Sequence, residues 1–303
     1  MKTGKTKNRI REGNPAVTVL LYVLVLLICI ATVYPMYYVL ILSISAPEYA
    51  AKMNVYLVPK GFSLDAYKML AGDGEMWRAY LNTILYTVPT TALMLVTSVL
   101  IAYPLTYKHL AGRKFVNMFL LIPMYFSGGM IPAFLLITKL KLYGSPLSQV
   151  LPVCFSIWNI ILMKAFFSSI PEGLREAAKI DGAGHTKIFF QITFPLGKPI
   201  LVTMGLFSAL AYWNDWTNGL YYLSGNQGQK LYSIQNLLNQ MITDIQYLAS
   251  GKVAGNIGAE VAKLPTTSIR MAIAFIAMLP LFIIYPFLQK YFAEGITLGA
   301  VKG

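Results

Sequence analysis

The sequence has few charged residues and almost no cysteine. Only 12% of its 303 residues are charged and 56% are hydrophobic, whereas about 25% of the residues in a soluble domain are charged. A mean hydropathy of +0.58 excludes a disordered or collagen-like chain and argues against a soluble enzyme. Cys29 and Cys154 both lie in apolar stretches, so no disulfide framework supports a small secreted fold.

Acidic residues and nucleotide-binding motifs are also scarce. The chain has 12 Asp and Glu against 25 Lys and Arg, a formal net charge of +13. We attribute this excess to basic loops on the cytoplasmic face of a membrane protein and predict no nucleic-acid partner. No Gly-x-x-x-x-Gly-Lys-Ser/Thr loop occurs, so the chain lacks the phosphate-binding loop of an ATPase. We find no pattern of catalytic or metal-ligating residues and expect no cofactor in the chain itself.

Six stretches are long and apolar enough to cross a bilayer, which takes about 20 residues. They run over residues 17–40, 80–103, 115–138, 147–168, 200–223 and 266–288. We therefore predict an all-α polytopic protein with six transmembrane helices, surrounded by membrane lipid. The apolar run of the first stretch is longer than the roughly 7–15 residues of a signal peptide, so we expect it to be an uncleaved helix.

The distribution of charge predicts the orientation. With six spans and an internal N-terminus, the inner segments hold 15 Lys and Arg against 5 Asp and Glu, and the remainder holds 10 against 7. By the positive-inside rule, both termini are expected in the cytoplasm. We accordingly divide the chain into a basic cytoplasmic N-terminus (1–16), a transmembrane domain (17–292) and a cytoplasmic tail (293–303).

Residues 222–265 form a long segment on the expected outer side, which we call the outer segment. Between Leu231 and Leu248 its apolar residues recur every three or four positions, which indicates an amphipathic helix. Such a helix lies on the bilayer or on a partner protein. A solvated loop with one packed helix is the simpler alternative.

The most specific motif lies between the fourth and fifth stretches. Residues 170–184 read Ile-Pro-Glu-Gly-Leu-Arg-Glu-Ala-Ala-Lys-Ile-Asp-Gly-Ala-Gly, and residues 192–195 read Ile-Thr-Phe-Pro. Pro171 and Glu172 favour a helix start, and Asp181-Gly182 is typical of a turn. We predict two short helices here. The small side chains of the first helix leave a face that a partner's groove can accept closely, and the flanking charges set its register.

This motif resembles the EAA loop of ABC importer permeases. The matching pattern is Glu-Ala-Ala, three residues, Gly182, nine residues and Ile-x-Phe-Pro, with Phe194 where leucine is usual. The run 170–184 and the tail, with Tyr-Pro-Phe-Leu-Gln-Lys-Tyr-Phe at 285–292, resemble the carbohydrate branch, of the maltose-permease and oligosaccharide type. The resemblance covers essentially the whole chain and implies the type I ABC importer permease fold in a bacterial cell (inner or cytoplasmic) membrane.

The resemblance also implies a non-catalytic subunit that passes oligosaccharides into the cytoplasm. Residues 169–195, here called the coupling loop, would dock on one of two separate ABC ATPase subunits, which bind ATP and Mg. A second homologous permease would complete the pathway, and an extracellular or periplasmic substrate-binding (lipo)protein would deliver the sugar. The residues assigned to ATPase coupling are Arg175, Glu176, Ala177, Ala178, Asp181, Gly182 and Ala183.

Polar residues inside the predicted spans are candidates for the substrate pathway, because they are costly in a membrane. The fifth stretch is richest in them, and its Asn214 and Asn218 are expected one turn apart on one helix face. Amides and carboxylates bond sugar hydroxyls, and indole rings stack on pyranoses. The candidate pathway residues are Trp213, Asn214, Asp215, Trp216, Asn218, Trp158, Asn159 and Tyr125.

Each candidate has a structural alternative. The tryptophans suit an aromatic belt at the membrane surface, the amides of the fifth stretch suit the caps of a broken helix, and Tyr125 suits plain helix packing. Asn82 either lines a cavity or bonds between helices.

Two other functions compete with sugar import. One is an ABC permease for peptides or other small polar solutes. The other is an ion-coupled secondary transporter, for which Asp215 is the only acidic residue in the six stretches. A membrane scaffold without transport gives no reason for the EAA spacing.

Overall fold

The protein is mainly helical in the part of the chain that the computed structural model describes, namely residues 15–72, 74–223, 225–249 and 266–300. Within these ranges no strand forms, and Ser45 and Phe62 make an isolated β-bridge. The all-α prediction is therefore confirmed. Most of the predicted basic N-terminus, residues 250–265 of the outer segment and residues 301–303 of the tail lie outside the described residues.

The chain divides into two compact units, and the first comprises residues up to Met69 together with Ala262–Phe275. Its helices are α1 (Pro15–Ser43), α2 (Pro47–Ala51), most of α3 (Asp65–Gly72) and the start of the last helix. Its small core contains Ile41, Leu42, Ala50 and Val55. Most of α1 is exposed and apolar, as expected of a helix surrounded by lipid or another chain.

The second unit comprises Leu70–Val261 and Ile276–Gly303. Its helices are α4 (Gly74–Ala102), α5 (Arg113–Tyr125), α6 (Met130–Lys139), α7 (Leu147–Val150), α8 (Ile157–Ser169), α9 (Glu172–Ile180), α10 (His185–Ile188), α11 (Phe194–Leu196), α12 (Lys198–Trp213), α13 (Thr217–Tyr222), α14 (Gly225–Gln229), α15 (Ile234–Ala249) and the rest of α16 (Thr266–Ala300). The turn Pro104–Thr106 extends α4, and the π-helix Phe189–Thr193 joins α10 to α11.

The membrane-capable helices are less regular than the hydropathy windows suggest. Within the described residues, α1, α4 with its extension, and the first part of α16 each satisfy the length and hydropathy of a span. Three bent pairs also pass: α5 with α6 at 116°, the helix ending at Val153 with α8 at 45°, and the helix His185–Leu196 with α12 at 71°. Counting each bent pair as one span gives the six that the sequence predicts.

Three windows are interrupted, and one of them is residues 147–168, where the chain bends by 45° between Val153 and α8. Residues 115–138 do not form one helix, because the chain breaks at residues 126–129 between α5 and α6. Residues 200–223 also contain a break, because α12 ends at Trp213 and α13 begins at Thr217. Asn214 and Asn218 are therefore on different sides of a helix break, and their expected common face does not exist.

The main core of the second unit forms where α4, α8 and α12 pack together. Its fully buried residues include Ala102, Ile160, Met163 and Phe167, with Met204 nearly as deep. This packing supports the loops at both ends of α4, where the candidate sites lie.

Candidate functional site

The first helix of the coupling loop is α9, and local sequence explains both of its ends. Pro171 immediately precedes it and cannot donate a backbone hydrogen bond. At the other end, the Gly182 N–H donates to Lys179 O at 3.0 Å and the Ala183 N–H donates to Ala178 O at 2.9 Å. This is a Schellman motif, and Gly182 has the φ of +75° that it requires. The predicted helix and turn are confirmed.

Arg175 anchors α9 to the end of α4. Its side chain is 8% exposed, and Nη1 donates to Thr106 Oγ1 at 2.9 Å. Its guanidinium also lies 5.6 Å from the centroid of the Tyr107 ring, a favourable cation–π distance. Arg175 was expected to set the register with a partner protein, but it is turned towards the chain's own loop. A buried charge needs a hydrogen-bond partner, and Thr106 supplies one.

Two further contacts hold the coupling loop to the residues after α4. Lys108 Nζ lies 3.0 Å from Glu172 Oε2, and this hydrogen bond holds the pKa of the Glu172 carboxyl below its usual value. Tyr103 donates its hydroxyl to His185 O at 3.1 Å. The start of α9 and the start of α10 are thus both attached to residues 103–108.

On the opposite side of α9 the side chains are mostly uncharged and make no such contacts with the part of the chain that the structure describes. Leu174 is 46% exposed and Ile180 is 87% exposed, and Ala177 is exposed between them. These three residues, three positions apart, form a small apolar stripe that we call the α9 stripe. Of the other predicted coupling residues, Glu176, Asp181 and Gly182 are exposed, whereas Ala178 and Ala183 are half-buried.

The polar residues of the fifth stretch cap the break between α12 and α13. Asp215 Oδ1 accepts the backbone N–H groups of Thr217 at 2.9 Å and Asn218 at 3.2 Å. Its other oxygen accepts the side-chain amide of Asn218. Asn214 donates its amide to Leu210 O at 2.8 Å, at the end of α12. These contacts match the alternative of caps on a broken helix, because an interrupted helix leaves backbone groups without partners.

Trp213 and Asn159 are buried contacts between helices. Trp213 donates Nε1–H to Ala277 O at 2.9 Å and packs edge-on against Tyr80. The Asn159 amide donates to Ser208 Oγ at 2.9 Å, which joins α8 to α12. Both side chains are at least nine-tenths buried, and Trp213 also lines the large apolar cavity between α4, α12 and α16.

The remaining pathway candidates are exposed and lie on different helices. Trp158 is 60% exposed in the first turn of α8, and Tyr125 is 81% exposed at the end of α5. Trp216 is exposed at the break after α12, where its carbonyl accepts the Asn236 amide at 2.5 Å. The structure therefore groups Trp213–Asn218 along the chain but does not bring Trp158 or Tyr125 to them.

Two cavities of the second unit differ in chemistry. One of about 670 Å³ between α4, α12 and α16 is lined almost wholly by apolar side chains such as Leu95, Leu206 and Ile284, so it offers sugar hydroxyls almost no partners. The other, about 10 Å³, lies among Tyr86, Tyr212 and other polar groups that include Asp215, and has room for about one water molecule. Within the described ranges, no three His, Cys, Asp or Glu side chains cluster as a metal site requires.

Sequence reasoning missed the residues that receive these contacts. Thr106 and Tyr107 hold Arg175, although they lie 69 and 68 positions away along the chain. The mixture of aromatic and hydroxyl residues at 103–107 was visible, but no local pattern pairs it with α9. Asn82 was expected either to line a cavity or to bond between helices. In the structure its amide donates to Lys230 O and Tyr232 O, so it joins α4 to the turn before α15.

Comparisons with known proteins agree with the fold and the motif. Residues 69–298 match the family described as "Binding-protein-dependent transport system inner membrane component". The polygalacturonan/rhamnogalacturonan transport system permease protein YtcP of Bacillus subtilis (strain 168) is 35% identical over 96% of this chain and 99% of its own. The melibiose/raffinose/stachyose import permease protein MelC of the same strain is 30% identical over 89% of this chain and 91% of its own.

A solved structure is also similar. It is a chain of a bacterial ABC transporter involved in the import of the acidic polysaccharide alginate. The match has a TM-score of 0.79 and 29% sequence identity, and it covers 92% of this chain and 97% of that one.

Proposed function

The chain belongs to the family of binding-protein-dependent transport system inner membrane components, and from this premise we propose that it translocates oligosaccharides as the permease subunit of an ATP-driven importer. The fold and family identify an ABC transport permease of a bacterial membrane. The sugar class is inferred from the relatives, whose names specify galacturonan, raffinose-type and alginate cargo. Peptides and other small polar solutes are the competing cargo.

The main support for this proposal is the exposed α9 stripe, because the helix that bears it is fixed by contacts within its own chain. Arg175, Glu172 and the Schellman turn fix the back and both ends of α9. Leu174, Ala177 and Ile180 remain exposed on the other side. A positioned, exposed apolar face is suited to a protein partner. We assign that partner as an ABC ATPase, which supplies the ATP and Mg sites absent from this sequence.

The complete transporter then contains this chain, a second similar permease, two ATPase subunits and a substrate-binding protein. The outer segment is the proposed contact for the binding protein, since α15 lies at the opposite end of α4 from α9. The charge distribution supports cytoplasmic termini. No second function is proposed, because Asp215, the one candidate for ion coupling, is engaged in capping α13.

The test is affinity purification of the full chain from its native membrane, with mass spectrometry of the proteins that accompany it. Ala177→Trp places a large side chain in the middle of the α9 stripe. The control is Ala111→Trp, at an exposed position of the other predicted inner loop. We expect the wild type and Ala111→Trp to retain an ATPase with a phosphate-binding loop, and Ala177→Trp to lose it while keeping the second permease.

Two results would contradict the proposal. One is purification of the wild type without any ATPase. The other is equal ATPase recovery with Ala177→Trp and Ala111→Trp, which would mean that α9 does not form the docking surface. Uptake of labelled galacturonan fragments and of peptides by cells with and without the chain then separates the two cargo classes.

A further inference from the structure

We propose that α4 mechanically connects the outer segment to the coupling loop, with Thr83 in its first half and Thr106 in its C-terminal extension as the positioning residues. This inference rests on the proposed function, because it assigns a path along which docking of a binding protein would reach the ATPase side. The path lies entirely in the second unit of the chain.

At one end, α4 holds the turn that precedes α15. The Ile234 N–H donates to Thr83 Oγ1 at 2.8 Å, and Tyr86 donates its hydroxyl to Leu231 O at 2.8 Å. Asn82 adds the two bonds to carbonyl oxygens of the same turn. Three side chains on one face of α4 thus bind the backbone of residues 230–234, and Ile234 is itself fully buried. A displacement of α15 therefore moves this end of α4.

At the other end, the extension of α4 holds α9. Thr106 accepts the buried guanidinium of Arg175, and Tyr107 lies beneath Arg175 and also 5.4 Å from Lys179 Nζ. Arg175 Nε is buried without a hydrogen-bond partner among the described residues. The bond to Thr106 and the contact with the Tyr107 ring compensate for burying this charge, and they tie the position of α9 to the extension of α4.

The two threonines make the same pair of contacts. Thr83 donates its hydroxyl to Ala79 O at 2.8 Å within α4 and accepts from Ile234. Thr106 donates to Tyr103 O at 2.7 Å and accepts from Arg175. Each hydroxyl is oriented by its own helix and presents its lone pair to another element. At 1.5 Å per residue, the two contacts are about 35 Å apart along one helix.

The middle of α4 contains Pro89, which removes one backbone hydrogen bond of the helix, and contacts with α8 and α12 brace the helix beyond this point. Asn159 of α8 donates to Met94 Sδ and to Ser208 Oγ of α12, which joins three helices at one point. Thr97 donates to Cys154 O at 3.1 Å. Close-packed helices shift as rigid bodies and do not bend continuously, so motion at Thr83 reaches Thr106.

A second route competes with α4. The first turn of α15 also contacts the break after α12, where the Asn236 amide donates to Trp216 O, and α12 leads back to the coupling loop along the chain. Position between two sites does not by itself demonstrate coupling. A double-mutant cycle across the two ends of α4 separates the routes, because only residues on a shared route are non-additive.

The experiment uses the complete transporter in lipid nanodiscs, with a binding protein loaded from a mixture of galacturonan, rhamnogalacturonan and raffinose oligosaccharides. The readout is the stimulation ratio, the ATP hydrolysis rate with loaded binding protein divided by the rate without it. We expect Thr83→Val and Thr106→Val each to lower this ratio by about threefold to tenfold, as one lost hydrogen bond of this kind implies. Thr83→Ser and Thr106→Ser keep the hydroxyl and should rescue it.

The double variant and a control variant in the same helix show whether Thr83 and Thr106 act on one route. The Thr83→Val/Thr106→Val double variant should be no worse than the more severe single variant. Thr91→Val removes a hydroxyl from the middle of the same helix that has no hydrogen-bond partner among the described residues, and it should keep the wild-type ratio. The inference is overturned if both single Val variants keep the wild-type ratio, or if the double variant shows the product of the two single effects. An unstimulated wild type contradicts the proposed function instead.

Hydrogen exchange keeps the test informative if Thr106→Val does not assemble. In the assembled transporter, Thr83→Val should speed exchange of the α9 amides relative to Thr83→Ser and Thr91→Val. Equal α9 exchange in all three variants would overturn the inference, since the distant end of α4 would then have no influence on α9.

Discussion

The coupling loop and the break in the fifth span use their polar side chains in opposite ways. In the coupling loop, Arg175 turns inward and fixes α9, which leaves uncharged side chains on the outside. At the break, the side chains of Asn214 and Asp215 form hydrogen bonds with backbone groups, and the Asn218 amide donates to Asp215. The first region is held so that a surface is free, whereas in the second the polar groups themselves are occupied. The free surface therefore identifies the coupling loop as the better-supported partner site.

This difference changes which residue types indicate function. Charged and amide side chains stand out in an apolar sequence, but Arg175, Asn159 and Asp215 all hold the fold. The α9 stripe consists of ordinary apolar residues that would attract no attention without their exposure.

Removing the anchor of α9 should have the largest effect. Arg175→Ala deletes a hydrogen bond from a charged group, which is worth about 1.5–3 kcal/mol. Since about 1.4 kcal/mol is tenfold in an equilibrium constant, amide exchange of α9 should accelerate about tenfold or more. Exposed Glu176→Ala is the control and should leave exchange nearly unchanged. Equal behaviour of the two variants would show that Arg175 does not hold the helix.

The Schellman turn should be the next most sensitive point. Gly182→Ala places a Cβ on a residue with φ of +75°, at a cost of about 1–2 kcal/mol. Gly173→Ala lies inside α9, where an added Cβ meets nothing within 4 Å, and should be neutral or stabilising. Hydrogen exchange of residues 177–183 measures both variants. A neutral Gly182→Ala would mean that α9 ends in another conformation.

Asp215 distinguishes a cap from an ion-binding carboxylate. Asp215→Asn keeps an oxygen for the first N–H groups of α13, and the Asn218 amide can rotate to match it, so transport should stay within about twofold of wild type. Asp215→Ala removes the cap and should cost about 1 kcal/mol of stability. Uptake assays and thermal unfolding check the pair. Loss of uptake in Asp215→Asn with intact stability would favour ion coupling and contradict the capping role.

The smallest effect is expected at the exposed pair of Glu172 and Lys108. Lys108 lowers the pKa of Glu172 in the folded protein. The ion pair therefore stabilises the loop at pH values above the pKa of Glu172 in the unfolded chain. This stabilisation is lost as the pH falls through the pKa of Glu172 in the folded protein. Carboxyl pKa values lie near 4, so we expect no change in α9 exchange between about pH 6 and pH 8. Glu172→Gln should resemble wild type at physiological salt. A marked pH dependence in this window would require another titrating group.

Local sequence predicts the parts of this fold that depend on neighbouring residues. Helix α9, its turn at Asp181-Gly182 and the amphipathic α15 all follow from spacing and from turn chemistry. The breaks at 126–129 and 214–216 do not, because a hydropathy window averages over about 20 residues and is insensitive to a short interruption. The inward orientation of Arg175 depends on Thr106, 69 positions away, and such a contact has no local signature.

Photo-crosslinking from the α9 stripe identifies the protein that contacts α9 in the membrane. A photoreactive amino acid replaces Ala177 in the full chain, in native membranes, and the same substitution at exposed Ala111 serves as the reference. We predict that position 177 forms an adduct with an ABC ATPase whose sequence carries a phosphate-binding loop, and that position 111 yields less of it. Adducts at position 177 with lipid or solvent alone, in membranes that contain the assembled ATPase, would contradict the assignment of α9 as the docking helix.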